Sequence, residues 1–448
     1  MGLRESYFHI KKMNKDLKLA LPENESDGKR VAFMTLGCKL NYSETSSIAR
    51  VFVKNGYVKV PASHSADIYV INTCSVTEHA DKKCRGAIRK LHRQNPDAIV
   101  AVTGCYAQLK PDEILGIEGV DIVLGADQKE NLFMKVSQLH GVKAGKEEGR
   151  GRAYSCAISE VETIFPAYSS DERTRSFLKV QDGCDYHCSY CTIPLARGKS
   201  RNLSVDFLIK EAGEIAAKGI KEIVLTGVNT GDFGKSTGES FLDLLKALEN
   251  VGGIERYRIS SIEPNLLTEE VLAWIAQSRK FLHHFHIPLQ SGSDKILALM
   301  RRRYNTSLFR DKISRIRHYM PDSFIGIDVI VGFPGEGEAE FEECRSFLEE
   351  LKPAFIHIFP YSRRANTPAA EMENQVDEQI KHSRVLMLET LCERLHAEFI
   401  DSMKGKREYV LFESTRKGGM MYGFTRNYIK VERPYDKALI GEISEVIL

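Results

Sequence analysis

A short, uniformly apolar run, a turn, and then a stretch with apolar residues at helical spacing recur along this chain, and no other feature restricts its fold as much. Lys29 to Leu36, Asp67 to Asn72, Ala98 to Thr103 and Val120 to Leu124 are such runs. Strands that are apolar throughout are buried on both faces, and their alternation with helices implies a parallel sheet covered on both sides. Asn41 and Glu44 form a capping-box-like pair that predicts a helix carrying Ile48, Val51 and Phe52 on one face and ending at Gly56. Ser75 and Glu78 predict a second capping box, which opens a basic helix to about Gln94.

The pattern begins after a polar, lysine-rich arm (1–30) and fills a first unit (31–145). A charged, glycine-containing stretch (146–170) is expected to be a linker. Six further strands follow: Ser176 to Val180, Glu222 to Thr226, Arg256 to Ile262, Phe285 to Leu289, Ile325 to Val331 and Ala354 to Phe359. Six β/α units within 171–402 predict an open, partial barrel rather than a closed eight-unit one. From 403 to 448 short alternating strands with glycine turns predict a small β-barrel. The fold class is therefore α/β: a parallel-sheet domain, a partial (β/α)6 barrel and a small β-barrel.

With 63 Lys and Arg against 61 Asp and Glu, the chain is not a globally basic nucleic-acid coat, though local basic patches remain open to it. One lies in the tail, where Met403 to Arg433 holds eight basic and three acidic residues. There is no uninterrupted apolar run long enough to span a bilayer and no apolar leader core, so no membrane partner is expected. Ten cysteines without an export signal point to a reducing, cytoplasmic setting and to thiol or metal chemistry.

The sharpest chemical signal is CDYHCSYC, in which Cys184, Cys188 and Cys191 follow the first barrel strand. Three thiolates on one short loop can wrap an iron–sulfur cluster and leave its fourth iron open. A Cys3His zinc site through His187 is disfavoured, because adjacent His187 and Cys188 do not easily reach one tetrahedral ion. Cys38, Cys74 and Cys105 are dispersed, yet each follows an expected parallel strand in the rhyming contexts TLGC, INTC and VTGC. Ligands converge at such strand ends, so spacing favours a second three-thiolate site over three small core cysteines. Cys84, Cys156, Cys344 and Cys392 have no comparable partners.

CDYHCSYC resembles the radical S-adenosylmethionine (SAM) signature, and with TLGCKLN, INTC, VTGC and the basic tail the chain resembles the methylthiotransferase family from about residue 30 onward. The resemblance implies an N-terminal methylthiotransferase domain, a radical SAM domain and a TRAM domain. It also implies two [4Fe-4S] clusters. Cys184, Cys188 and Cys191 would hold the one that cleaves SAM, and Cys38, Cys74 and Cys105 an auxiliary one that delivers sulfur, methylated by a second SAM. The partners implied are a tRNA anticodon stem-loop and a low-potential electron donor such as flavodoxin or ferredoxin. LTGVNTGDFG (225–234), ISSIEP (259–264) and GFTRNYIKV (423–431) most resemble the branch that modifies C2 of N6-threonylcarbamoyladenosine at position 37. Modification of N6-isopentenyladenosine, and a non-catalytic iron–sulfur RNA-binding module, remain as alternatives.

The same resemblance implies SAM contacts from Tyr190, Thr226, Gly227, Glu263, Gln290 and Gly332 at the barrel mouth, with Gly332 letting backbone approach adenine. It implies RNA contacts from Arg426, Asn427, Tyr428 and Lys430. The basic helix bearing Lys82, Lys83, Arg85, Arg89, Lys90 and Arg93 and the run Arg301 to Arg303 are further candidate phosphate contacts. His283, His284 and His286 are taken by default as satisfied core or surface histidines.

Overall fold

The computed structural model describes residues 28–142, 151–170 and 174–448. The expected N-terminal arm lies outside the described residues except for its last three positions.

Six parallel strands make the first sheet: β1 (Arg30–Thr35), β2 (Val58–Val60), β3 (Ile68–Thr73), β4 (Ile99–Gly104), β5 (Ile122–Leu124) and β6 (Arg152–Tyr154). Their order is β2-β1-β3-β4-β5-β6, so the winding reverses between β1 and β3. β3 and β4 are buried at every position, as uniform apolarity requires. One apolar cluster gathers around Tyr69, Val100 and Ile88 and another around Val70, Ala101 and Phe52, one on each face of the sheet. The stretch expected to be a linker is thus partly structural, since β6 pairs in parallel with β5.

Both expected capping boxes are absent. The first helix runs Lys39–Lys54 with Cys38 at its N-cap, and Asn41 and Glu44 lie inside it. The second runs Glu78–Gln94 and is capped by Thr77, whose side chain accepts from the Ala80 N–H. Ser75 instead donates to Asp81 at 2.7 Å. Glu44 is instead taken by partners distant in sequence, and Arg364 holds both Ser75 and Asp81, at 2.7 and 2.8 Å.

The barrel begins with β7 (Arg175–Lys179) and a short antiparallel pair, β8 (Gln181–Asp182) and β9 (Arg201–Asn202). It continues through β10 (Glu222–Thr226), β11 (Arg256–Ile259), β12 (His284–Gln290), β13 (Phe324–Val331) and β14 (Phe355–Pro360). The orders β11-β10-β7 and β12-β13-β14 are joined by single parallel bridges, Tyr257 with Phe281 and Ser261 with His286, giving a six-stranded open arc. The helix Lys39–Lys54 packs against β7 at the open edge, where the Tyr42 and Phe177 rings meet edge-to-face at 5.7 Å.

The tail is an antiparallel sheet of β15 (Arg407–Lys417), β16 (Met420–Phe424), β17 (Lys430–Pro434) and β18 (Ile443–Ile447), ordered β17-β16-β15-β18 around Val410, Phe412 and Met421. Among the described residues no helix is long and apolar enough to cross a membrane.

Candidate functional site

Cys38, Cys74 and Cys105 follow the C-terminal ends of β1, β3 and β4, around the point where strand order reverses. Sheets of this order bind ligands at that point. Two glycines let the three ends close up. A Cβ on Gly37 (φ +109°) would sit 2.6 Å from the Cys74 Cβ, and one on Gly104 (φ +100°) 2.3 Å from the Thr73 carbonyl oxygen. Asn41 ties the ends together, donating to the carbonyls of Leu36 and Thr73 at 2.9 Å each. Cys38 caps the helix Lys39–Lys54 and Cys105 opens the short helix Cys105–Leu109. Burial, reinforced by the neighbouring cysteines, pushes the Cys74 thiol up to about 12; burial also raises Cys38. As free thiols they hold their protons at neutral pH, and a metal would displace them.

Cys184, Cys188 and Cys191 lie on the loop between β8 and the helix Ile193–Arg197. The Tyr186 and Ile193 N–H groups point at the sulfurs of Cys184 and Cys191, 3.4 Å away in both cases. Burial pushes Cys184 and Cys191 up to about 12, with Cys188 adding to both. Arg302 donates to the Cys188 sulfur at 3.0 Å and is also paired with Glu263. A guanidinium at one sulfur and N–H donors at the other two suit an anionic cluster rather than three neutral thiols. The Arg301 to Arg303 run is therefore not a continuous phosphate patch: Arg302 is turned inward, and Arg303 covers the Tyr186 ring at 4.0 Å.

Between the two cysteine sets lies a buried ion network that motif reading missed. Glu44 meets Lys129 at 2.7 Å, Lys179 at 2.8 Å and Arg197 at 3.2 Å. Asp182 meets Lys179 at 2.5 Å and Arg197 at 2.8 Å. Arg197 also donates to Asn41 at 2.6 Å. Three cations thus face two carboxylates, and the excess positive charge, on Arg197, lies toward Cys38 and Cys105. That excess fits an anionic cluster on this set too. The network also fastens the first sheet to the barrel, since Glu44 and Lys129 come from the former and Lys179, Asp182 and Arg197 from the latter.

The residues expected to contact SAM do gather at the C-terminal ends of the barrel strands, several of them with structural partners already. Tyr190 meets Phe333 edge-on at 6.3 Å. Thr226 donates to the Leu178 carbonyl at 3.0 Å. The space a Cβ on Gly227 would need is taken by the Gln181 side chain, 2.9 Å away. Glu263 is paired with Arg302, and Gln290 holds a left-handed φ of 68° after β12. At Gly332 a Cβ would lie 2.3 Å from Lys381 Cγ, so the Lys381 stem packs closely against that turn.

The expected RNA contacts divide. Asn427 is fully buried, donates to the Asp322 carbonyl at 3.1 Å and anchors the tail to the barrel, so it is not an RNA contact. Tyr428 is turned inward as well: it stacks on Phe424 at 4.7 Å and the Arg258 guanidinium lies 4.7 Å from its ring. Arg426 and Lys430 remain at the surface, paired with Glu408 at 3.2 Å and Glu432 at 2.6 Å. On the helix Glu78–Gln94, Lys82, Lys83, Arg89, Lys90 and Arg93 are exposed, whereas Arg85 bonds Tyr106 and Glu113. Cys84, Cys344 and Cys392 are buried; Cys84 lies against the first set, its thiol donating to the Cys74 carbonyl at 3.4 Å. His286 is no idle core residue, since it bonds Asp328 at 2.7 Å inside the barrel.

Comparison with known proteins gives the same division. Residues 30–125 match the family described as Uncharacterized protein family UPF0004, and residues 178–348 match the Radical SAM superfamily. The threonylcarbamoyladenosine tRNA methylthiotransferase MtaB of Bacillus subtilis (strain 168) is 42% identical over 422 residues, covering 93% of each chain. The tRNA-2-methylthio-N(6)-dimethylallyladenosine synthase of Natranaerobius thermophilus is 33% identical over 430 residues, covering 94% of each. The radical S-adenosylmethionine methyltransferase TsrM of Kitasatospora setae shares the fold, with a TM-score of 0.55 at 15% identity over 77% of each chain.

Proposed function

Since the chain belongs to the radical SAM tRNA methylthiotransferases, we propose that it installs a methylthio group on C2 of N6-threonylcarbamoyladenosine at position 37 of tRNA. The observation that carries this is the pair of three-cysteine sets, one at the ends of three parallel strands and one on a single loop at the start of the barrel, each with a guanidinium beside it. The choice of base rests on the greater identity to the threonylcarbamoyladenosine relative, 42% against 33% for the dimethylallyl one at similar coverage.

Cys184, Cys188 and Cys191 would hold the cluster that binds SAM, and Cys38, Cys74 and Cys105 the auxiliary cluster. When bound, these groups supply one-electron chemistry and the sulfur and methyl of the product, chemistry that no side chain here provides. The chain's own residues hold and tune them. Arg302 offsets negative charge at Cys188 and opposes the upward push that burial gives the Glu263 carboxyl, while Arg197 places positive charge beside Cys38 and Cys105. The Glu44 network keeps the two sets in register across the boundary between sheet and barrel.

A base in a stem-loop has to leave its stack to reach such an interior. Arg426 and Lys430, with the exposed face of the helix Glu78–Gln94, would hold the phosphates around it. The setting is the cytoplasm, with a low-potential flavodoxin or ferredoxin as electron donor.

The test is anaerobic incubation of reconstituted protein with SAM, reductant and synthetic anticodon stem-loops. Methylthiolation of the threonylcarbamoyl stem-loop with release of 5′-deoxyadenosine is expected. Modification of the isopentenyl stem-loop alone would transfer the activity to the other branch. Absence of 5′-deoxyadenosine would leave an iron–sulfur RNA-binding module.

A further inference from the structure

We propose that His286, Asp328 and His357 form a mononuclear zinc site on the inner wall of the barrel, separate from both cysteine sets and independent of which base is modified.

Three neighbouring strands bring these residues together. In the β12-β13-β14 ladder Asp328 lies beside His357, and Gly326, two residues earlier on the same face, lies beside His286. Side chains alternate along a strand, so residues 286, 328 and 357 share one face. Phe285, Ile287, Ile327 and Ile356 point the other way, into the apolar core covered by the helices Glu338–Leu351 and Glu378–Met403. The face of the triad is therefore the one turned into the barrel, and it is open. His286 and Asp328 keep 24% and 19% of their side-chain surface, although β13 is flanked on both sides and Ile287 and Ile327 keep none. Gly326 leaves the space beside His286 unfilled, and the spot a Cβ would take there is 3.9 Å from His357 Nε2. The tip of His357 thus turns toward His286, and the two rings stack with centroids 4.9 Å apart.

His286 Nε2 meets Asp328 Oδ1 at 2.7 Å, and His357 has no hydrogen bond among the described residues. One ligand atom from each of the three lies within 4.8 Å of the other two. Bonds of about 2.0–2.2 Å put two ligands of one ion roughly 3–4 Å apart, so a closure of about 1 Å completes the set. Two imidazoles and a carboxylate without a thiol make a donor set that suits zinc. Three protein ligands leave a further position for water or an oxygen donor entering the barrel. A hydrogen-bonded His–Asp pair needs no third residue, and the second imidazole, unbonded in the same cluster, is what a metal accounts for. The site lies near the other chemistry. Tyr304 donates to the Pro288 carbonyl at 2.5 Å and accepts from Arg302 at 3.0 Å, and Arg302 reaches the Cys188 sulfur. His286 is two residues before Pro288, about 7 Å along the strand and one step deeper in the barrel than that link.

The test is metal analysis of the holoenzyme, in which clusters occupy the cysteines. Anaerobically reconstituted protein is equilibrated with zinc chloride, desalted and analysed for zinc and iron. About one zinc per chain is expected with iron unchanged, since zinc outranks ferrous iron at nitrogen and oxygen sites. X-ray absorption at the zinc edge should show nitrogen and oxygen neighbours at about 2.0–2.2 Å and no sulfur at about 2.3 Å. Asp328→Asn and His357→Gln should each weaken zinc binding at least about tenfold, with wild-type iron content showing that fold and clusters persist. A wild-type protein that retains no zinc overturns the proposal without any variant, as does sulfur in the zinc shell. Undiminished zinc in a variant that keeps its iron overturns it too.

Discussion

Replacing Glu44 with Gln keeps the shape of a buried side chain and removes the charge on which three cations converge. Lys129, Lys179 and Arg197 all lie within 3.2 Å of its carboxylate; Lys179 and Arg197 would then keep only Asp182, and Lys129 would lose the carboxylate it pairs with. Removing one partner of a buried pair leaves an uncompensated charge and costs about 3–5 kcal/mol. At about 2–4 °C per kcal/mol for units of this size, the apparent melting temperature should fall by about 6–20 °C. Thermal melts of anaerobically reconstituted protein read this shift. Glu350→Gln is the control, because its 2.6 Å pair with Arg310 is half exposed and should be worth less than about 1 kcal/mol. Burial alone would raise the Glu44 carboxyl, but Lys129, Lys179 and Arg197 overrule it and hold the group well below the usual carboxylate range. A folded-state pKa below the unfolded value stabilises the fold above the unfolded value. That stabilisation is lost as pH falls from there toward the folded value. The gap between wild type and Glu44→Gln should therefore stay constant from about pH 8 to 5 and narrow only below about 4.3. A penalty no larger than that of the control, or one that already shrinks at neutral pH, would refute the view that this network joins sheet to barrel.

Arg302→Leu should speed loss of iron to a chelator about ten- to a hundredfold, the usual cost of a lost supporting contact at a metal site, read by absorbance decay under argon. Retention at the wild-type rate would mean that the Cys188 contact is incidental. Gly104→Ala should prevent assembly on the Cys38, Cys74 and Cys105 set while leaving the other site loaded, because its methyl would meet the Thr73 carbonyl; equal iron in the two proteins would contradict this. Lys430→Gln should weaken tRNA binding uniformly across sequences and lower the slope of log affinity against log salt by about one, whereas an unchanged slope removes Lys430 from the phosphate contacts. Asn427→Ala should cost about 1–3 kcal/mol and expose the chain near Met403 to protease, and wild-type resistance there would show that the Asp322 contact is dispensable.

Local patterning made the strands legible, because burial on both faces leaves a continuous apolar signature. Ile68 to Thr73 and Ile99 to Gly104 are examples, and both lead directly into cysteines. What failed was the assignment of polar residues that look local but serve distant partners. Asn41 and Glu44 fit a helix-capping spacing, yet Glu44 bonds residues up to 153 positions away, which no window of sequence contains. Arg302 sits in a triple-arginine run that looks like a solvated patch, and its role depends on Cys188, 114 residues earlier. Asn427 was drawn into the RNA surface by its basic neighbours, although its amide is needed to satisfy the Asp322 carbonyl at a domain boundary. Arg152–Tyr154 was hidden by the charged stretch around it, since an edge strand of three residues has almost no periodicity.

The account depends most directly on there being two iron–sulfur sites with three cysteines each. Iron and sulfide analysis with Mössbauer spectroscopy of oxygen-free protein should give about eight irons per chain, in two four-iron clusters that each keep one iron without a cysteine ligand. Replacing Cys38, Cys74 and Cys105 with Ala together should halve that to about four. A wild-type protein holding one cluster, or clusters ligated by a fourth side chain, would contradict it.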